Sequence, residues 1–304
     1  MPVKLASSLT SWGVDFADTP SNPKWQVALD EIVKAGADAL ELGPVGYLPQ
    51  DKFSIQSELA SRGLTAVGSF IFDDLHTPAE RSRVLEKAEK TCQLIENAGG
   101  AVLVIIDQPG EERAAFAGRS HDAPRLSPEG LTELRSTLIG IEEIARSHGL
   151  RPTVHPHAGG YIEFADEIEW VLDATELDLC LDTGHLYYAG IDPVGAIERY
   201  ASRVKHIHLK DVSSRARQKV IAERLGFWEA VALPIFCPIG QGNVDIAGVL
   251  GALERIGYDG FAVLEQDRVA GVGNPVDDVR ISLAAVRPFT TALLPTLEQS
   301  MKEI

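Results

Sequence analysis

Five of the chain's eight histidines stand at or just beyond the ends of short apolar runs, together with several carboxylates and one lysine. The stretch TVHPHAGGYIE (residues 153–163) carries His155 and His157 two residues apart, then Glu163 beyond a Gly159-Gly160 bend. The stretch VKHIHLKD (204–211) spaces His206, His208 and Lys210 at every second position. Residues i and i+2 of a strand point to one face, so each set is expected to face one way. Glu41, Asp107, Asp182 and Glu265 close other apolar runs, and His185 follows Asp182 by one turn. A carboxylate buried at a strand end must be paired, hydrogen-bonded or bound to a cation. Two carboxylates with two imidazoles suit a divalent transition ion and leave positions for water and substrate. The same residue types also allow a metal-free cluster of His–Asp and Lys–Glu ion pairs, or a metal-free binding barrel. Thiolate ligation is disfavoured, because no second cysteine accompanies Cys180.

Eight apolar runs supply these ends: residues 3–9, 38–42, 64–72, 101–107, 151–157, 177–182, 204–211 and 260–267. Amphipathic stretches lie between them. Helices are expected from Pro23 to Ala35, from Pro78 to Ala98, from an N-cap at Ser127 to His148, after Asp192-Pro193 and after Asn274-Pro275. Strands alternating with helices imply a parallel sheet. Eight units without a GxGxxG first turn point to a (β/α)₈ TIM barrel, a single domain over 1–304, whose strand C-terminal ends meet at one mouth. In VKHIHLKD, Ile207 and Leu209 then face the helices, and His206, His208 and Lys210 face the barrel interior. Trp12, Glu41 and Asp107 are candidates for holding substrate at that mouth. The long intervals 108–127 and 212–243 follow strand ends and are candidate lids.

Composition narrows the function. The 304 residues are 45% hydrophobic and 24% charged, with a formal net charge of −16. That charge argues against nucleic acid as a partner, since phosphates require a basic face. Three scattered cysteines without a CxxC pair suit a reducing compartment. No signal-peptide core stands at the N-terminus, and no apolar run approaches the roughly 20 residues that span a bilayer. The expectation is a cytoplasmic protein acting on a small molecule, away from membranes, with homo-oligomers compatible with the sequence.

The chain resembles the xylose isomerase-like superfamily of sugar isomerases and epimerases, a metal-dependent (β/α)₈ group. Within it, ALELGPVGYLPQD (39–51), HPHAGGYIE (155–163), DTGH (182–185), IHLKDV (207–212) and the FWEAV…CPIGQGNVD segment (227–245) resemble the inosose dehydratase family. The superfamily holds its metal on Glu, Asp, His and Glu at the ends of strands five to eight. Asp182, His208 and Glu265 match the last three, and DTGH matches a DxxH motif whose histidine contacts substrate. The first position is His155 here; His157 in another register, or Glu163 swinging in, are alternatives. The resemblance therefore implies a divalent metal on His155, Asp182, His208 and Glu265, with manganese or cobalt expected first and magnesium, iron or zinc as alternatives. The paired glutamates that epimerases of the superfamily use are missing. That favours dehydration of a cyclic keto-polyol of the 2-keto-myo-inositol type through an enolate. Glu163 or Lys210 is expected to act as base and His157 or His185 as acid, with Glu41 and Trp12 orienting ring hydroxyls. An isomerase, epimerase or eliminating lyase acting on a keto-sugar or keto-glycoside is the alternative.

Overall fold

Each of the eight apolar runs forms a parallel strand in the computed structural model, which describes residues 3–290. The strands are β1 (Lys4–Ser8), β2 (Ala39–Glu41), β3 (Thr65–Asp73), β4 (Val102–Asp107), β5 (Arg151–Val154), β6 (Asp178–Asp182) and β7 (Val204–Leu209). A two-stranded antiparallel sheet, β8 (Asp211–Val212) with β9 (Phe236–Cys237), precedes the last barrel strand, β10 (Phe261–Leu264). The ladder closes in the order β1-β10-β7-β6-β5-β4-β3-β2, so the fold is a (β/α)₈ TIM barrel. The expected span of 1–304 includes residues 1–2 and 291–304, which lie outside the described residues.

Strand residues are buried on both faces, as parallel strands under helices must be. In β4, Leu103 and Ile105 join the layer between sheet and helices, while Val102, Val104 and Ile106 pack inside the barrel with Phe70, Phe72 and Cys180. Strand β7 follows the expected alternation: Ile207 and Leu209 lie in the outer layer. The helices start where the caps are. Ser127 Oγ accepts from Gly130 N, and Pro128 opens the helix Pro128–Ser147. Pro78 begins with a 3₁₀ turn, Pro78–Glu80, before the helix Arg81–Ala98.

Two expectations change. The fifth run was expected to be extended through His157, but β5 ends at Val154. His155 N still donates to Ile105 O at 2.8 Å. Pro156 then has no N–H to continue the ladder, so His157 stands on a loop. The interval 212–243 is no plain lid: it contains β8, β9 and the helices Ser214–Glu223 and Phe227–Val231. No helix among the described residues is long and apolar enough to cross a membrane.

Candidate active site

His155, Asp182, His208 and Glu265 each bring one donor atom within 4.8 Å of the others. They stand just after β5, at the end of β6, in β7 and just after β10, the mouth expected of a barrel. Asp182 divides its two oxygens. Oδ1 accepts from Gly184 N and His185 N, both at 2.8 Å, and so caps the helix Thr183–Ala189. Oδ2 has no hydrogen-bond partner and faces His155 Nε2 at 3.6 Å and His208 Nδ1 at 3.8 Å. His208 Nδ1 lies 2.9 Å from Glu265 Oε2, yet it too lacks a hydrogen bond of acceptable direction. Buried polar atoms left unpaired cost about 1–3 kcal/mol each, and here they converge on one point. The donor set therefore fits a divalent cation.

Glu41 does not face the cavity. It is fully buried, and its Oε1 lies 2.5 Å from His206 Nε2 and 3.1 Å from His208 Nε2. Burial works against its charge, but His208 and His206 outweigh burial and hold the carboxyl down to about 2. Despite its burial, the His208 imidazole is held well above its ordinary range by the carboxylates of Glu41 and Glu265. With Glu41 accepting from Nε2–H, Nδ1 is the nitrogen that would ligate a cation on losing its proton. The β2–β3 register shifts between Leu40 and Glu41, next to this residue. Glu41→Gln is expected to weaken metal affinity about 10- to 100-fold, the usual effect of removing such a support, and a competition titration with a chelator would measure it. Cys180 stands beside this site as well, and its chemistry agrees with the expectation against a thiolate ligand. Its sulfur lies with His155 and His208 donor nitrogens, all within 4.8 Å, although burial pushes the thiol up to about 12 and keeps it protonated.

Lys210 is buried among three carboxylates. Its Nζ lies 2.6 Å from Asp267 Oδ1, 3.2 Å from Glu265 Oε2 and 3.3 Å from Asp182 Oδ2. Burial opposes the charge, but these carboxylates hold the ammonium above the usual lysine range. Lys210 is thus a cation and proton donor at rest, not the base expected from its type.

The backbone of Ala158 meets two histidines. The Ala158 carbonyl lies 3.0 Å from His157 Nδ1. A carbonyl only accepts, so Nδ1 carries the proton and His157 Nε2 keeps the lone pair. The Ala158 N–H donates to His185 Nδ1 at 3.2 Å. His185 thus faces a donor at each ring nitrogen, since the Lys210 ammonium lies 2.9 Å from Nε2 and can only donate. Asp267 Oδ2 stands 3.3 Å from the same nitrogen. The two rings lie 3.9 Å apart between centroids. Burial, with His185 and His155 nearby, holds the His157 imidazole well below its ordinary value, so it rests neutral. The assignment follows from the hydrogen-bond network.

A cleft opens on these groups. His155, His157, His185, His208, Lys210, Glu265, Asp15 and Asp267 line its polar side, and Phe70, Phe72, Phe227 and Trp228 line the other. Three residues expected at the substrate lie elsewhere. Trp12 is buried with Nε1 donating to Glu31 Oε2 at 2.8 Å. Asp107 accepts from Leu75 N and Tyr161 N and meets His76 Nδ1 at 3.0 Å, holding two loops together. Glu41 supports the imidazoles, as above. Asp267 sits two residues beyond Glu265, a same-face spacing that could have flagged it. Asp15 and Trp228 stand on loop and inserted helix, where no periodicity marks them.

Glu163 does not line the cavity either. It accepts from Gly118 N at 2.7 Å and Gly159 N at 3.0 Å, 3.6 Å from Arg113, and so ties the β5 loop to the 108–127 segment. Burial pushes its carboxyl up to about 7, partly offset by Arg113 and the two N–H donors. A raised carboxyl binds its proton more tightly in the folded state. Its contribution is full below the ordinary carboxyl range and is lost as pH rises through about 7. Glu163→Gln should flatten the fall in stability between about pH 4.5 and 7, a change on the order of 3 kcal/mol. Denaturant melts across that range would show it, and an unchanged slope would refute it.

The sequence matches the family described as xylose isomerase-like TIM barrel over residues 29–289. It is 30% identical over 295 residues to an inosose dehydratase of Geobacillus kaustophilus (strain HTA426), covering 90% of each chain. It is 26% identical over 281 residues to that of Geobacillus thermodenitrificans (strain NG80-2), covering 90% of this chain and 93% of the other. Among solved structures, the IolI protein with a bound zinc atom superposes with TM-score 0.71 at 13% identity, over 97% of this chain and 100% of that one. A 3-keto-D-glucoside 4-epimerase from E. coli superposes with TM-score 0.68 at 17% identity, over 94% and 99%. At such identities these two likenesses concern the fold. The family match spans most of the chain and the relatives align end to end with it: the chain belongs to the xylose isomerase-like TIM barrel family and is an enzyme of that family.

Proposed function

We propose that the protein removes water from a cyclic keto-polyol of the 2-keto-myo-inositol type, with a divalent cation held by His155, Asp182, His208 and Glu265. The observation that carries this reading is the unlike pair of neighbouring imidazoles: His157, whose Nδ1–H donates to the Ala158 carbonyl and leaves Nε2 as an acceptor, and His185, joined to the Lys210 ammonium. Elimination needs that asymmetry: one group takes a proton from carbon while another gives one to oxygen. The names of the relatives, inosose dehydratases, support the same substrate class. Manganese or cobalt is the first expectation, and the zinc of the IolI protein is one alternative.

The bound cation supplies Lewis acidity to a substrate carbonyl. His157 Nε2 takes the proton from the carbon beside the carbonyl. The electron pair released there forms the new carbon–carbon double bond as the β-hydroxyl departs. The proton for that hydroxyl comes from the Lys210 ammonium, 2.9 Å from His185 Nε2, and passes through this imidazole, so the hydroxyl leaves as water. The aromatic side of the cavity covers the apolar face of the ring and keeps bulk water from it. Trp228→Ala is expected to raise KM about three- to tenfold with bound metal unchanged, and steady-state kinetics would check this.

The test is incubation of metal-loaded protein with 2-keto-myo-inositol, read as loss of one water by mass and a new ultraviolet band. No dehydrated diketone would sink the proposal, and full activity after chelation would sink the cation's part in it. Solvent deuterium entering the substrate without loss of water would instead select isomerisation or epimerisation.

A further inference from the structure

The charges around the cavity leave one carboxyl without a partner. Asp182, Glu265 and Asp267 are three negative charges, and all three contact Lys210. Lys210 is the sole lysine or arginine among the lining residues. Together with a divalent cation it balances those three carboxylates. Asp15 faces the same cavity with no hydrogen bond or ion pair to any described residue. Burial beside Asp267 and Glu265 pushes its carboxyl up to about 8, so it stands there as an uncharged acid.

Asp15 is also held in place. It follows the 3₁₀ turn Leu9–Trp12 that ends β1. Gly13 adopts φ +75° there, and a Cβ on it would come within 2.5 Å of Ala270, so the turn sits tightly against the loop after β10. The neighbouring Phe16 ring packs on Phe72 at 5.5 Å. The carboxyl is thus presented by a packed turn, in a cavity it shares with Glu265, Asp267 and Lys210.

We propose that Asp15 is a substrate-binding residue that exchanges hydrogen bonds with hydroxyls of an uncharged polyol ring, and that the site excludes phosphorylated and carboxylated sugars. A phosphate needs cations free to pair with it, and Lys210 is already committed. A ring hydroxyl supplies a donor to Asp15 and brings no charge that would need a counterion. The inference rests on the proposed function for its substrate class, but not on the reaction.

The experiment therefore reads binding and not turnover. Metal-loaded wild type, Asp15→Asn and Asp15→Ala are titrated calorimetrically with myo-inositol, its monodeoxy analogues, a methyl pyranoside and an inositol monophosphate. Expected is a roughly 10- to 100-fold weaker Kd for the neutral polyol in both variants, with unchanged melting temperature and metal content. One monodeoxy analogue should bind wild type and Asp15→Asn equally, because it lacks the hydroxyl that Asp15 holds. The monophosphate should not compete. A Kd within twofold of wild type, an equal loss for every analogue, binding of the monophosphate, or no neutral polyol bound at all would each overturn the proposal. Dehydratase activity can fail while the Asp15-dependent binding stands, and the reverse, so the two readings are separable.

Discussion

Asp182→Asn is expected to empty the metal site and lower kcat/KM at least about a thousandfold. The two oxygens of Asp182 have separate tasks, and the amide keeps only one of them. Oδ1 caps the helix Thr183–Ala189 through Gly184 N and His185 N, and an asparagine oxygen can do the same. Oδ2, which makes no hydrogen bond and faces His155, His208 and the Lys210 ammonium, becomes an uncharged NH₂ that cannot ligate a cation. Metal analysis after dialysis should find well under a tenth of the wild-type content. Asp182→Ala should lose the metal as well and, in addition, about 1 kcal/mol of stability for the missing cap. That difference between the two variants, read from denaturant melts of metal-free protein, separates the capping role from the ligating one. Full metal occupancy in Asp182→Asn would remove Asp182 from the ligand set.

His157→Gln is expected to lower kcat about 10²- to 10⁴-fold with metal content unchanged. His185→Gln should do likewise, and isotope exchange tells them apart. If His157 Nε2 takes the proton from carbon, His157→Gln loses both dehydration and exchange of that proton with deuterated solvent. If His185 only passes a proton from Lys210 to the departing hydroxyl, His185→Gln loses dehydration and keeps the exchange. The reverse pattern would mean that the roles are exchanged. Loss of exchange in neither variant would point to another base altogether.

How these roles could be read depends on where each residue sits in its strand. Period-two alternation in VKHIHLKD correctly turned His206, His208 and Lys210 inwards, because Ile207 and Leu209 need the helix layer. The same spacing in TVHPHAGG was a weaker guide. Proline stops the ladder at residue 156, and a loop peptide, not a strand, presents His157. Glu163, Asp107 and Glu41 have the residue type of catalytic groups, yet each is engaged by backbone N–H groups or imidazoles outside the cavity. A carboxylate looks the same in sequence whether it meets a substrate or fastens a loop. Asp15 shows the converse, since nothing in its local pattern distinguishes it from a turn residue.

The sequence by itself determined the barrel, through eight apolar runs at regular intervals, and the strand ends whose polar groups meet at its mouth. The set of four ligands came from the family resemblance, with His157 and Glu163 open beside His155 for one place. The barrel and its strand ends follow from local rules: burial on both strand faces, alternation, caps, and the fact that parallel strands all end on one side. Only the tertiary structure decided which polar groups are left unpaired and which are satisfied. That depends on partners far away along the chain, such as Glu41 reaching His206 and His208 across the barrel, or Lys210 gathering Asp182, Glu265 and Asp267. Hydrogen-bond satisfaction is a property of three-dimensional neighbours, and it is what separates the residues that support this site from those that face its substrate.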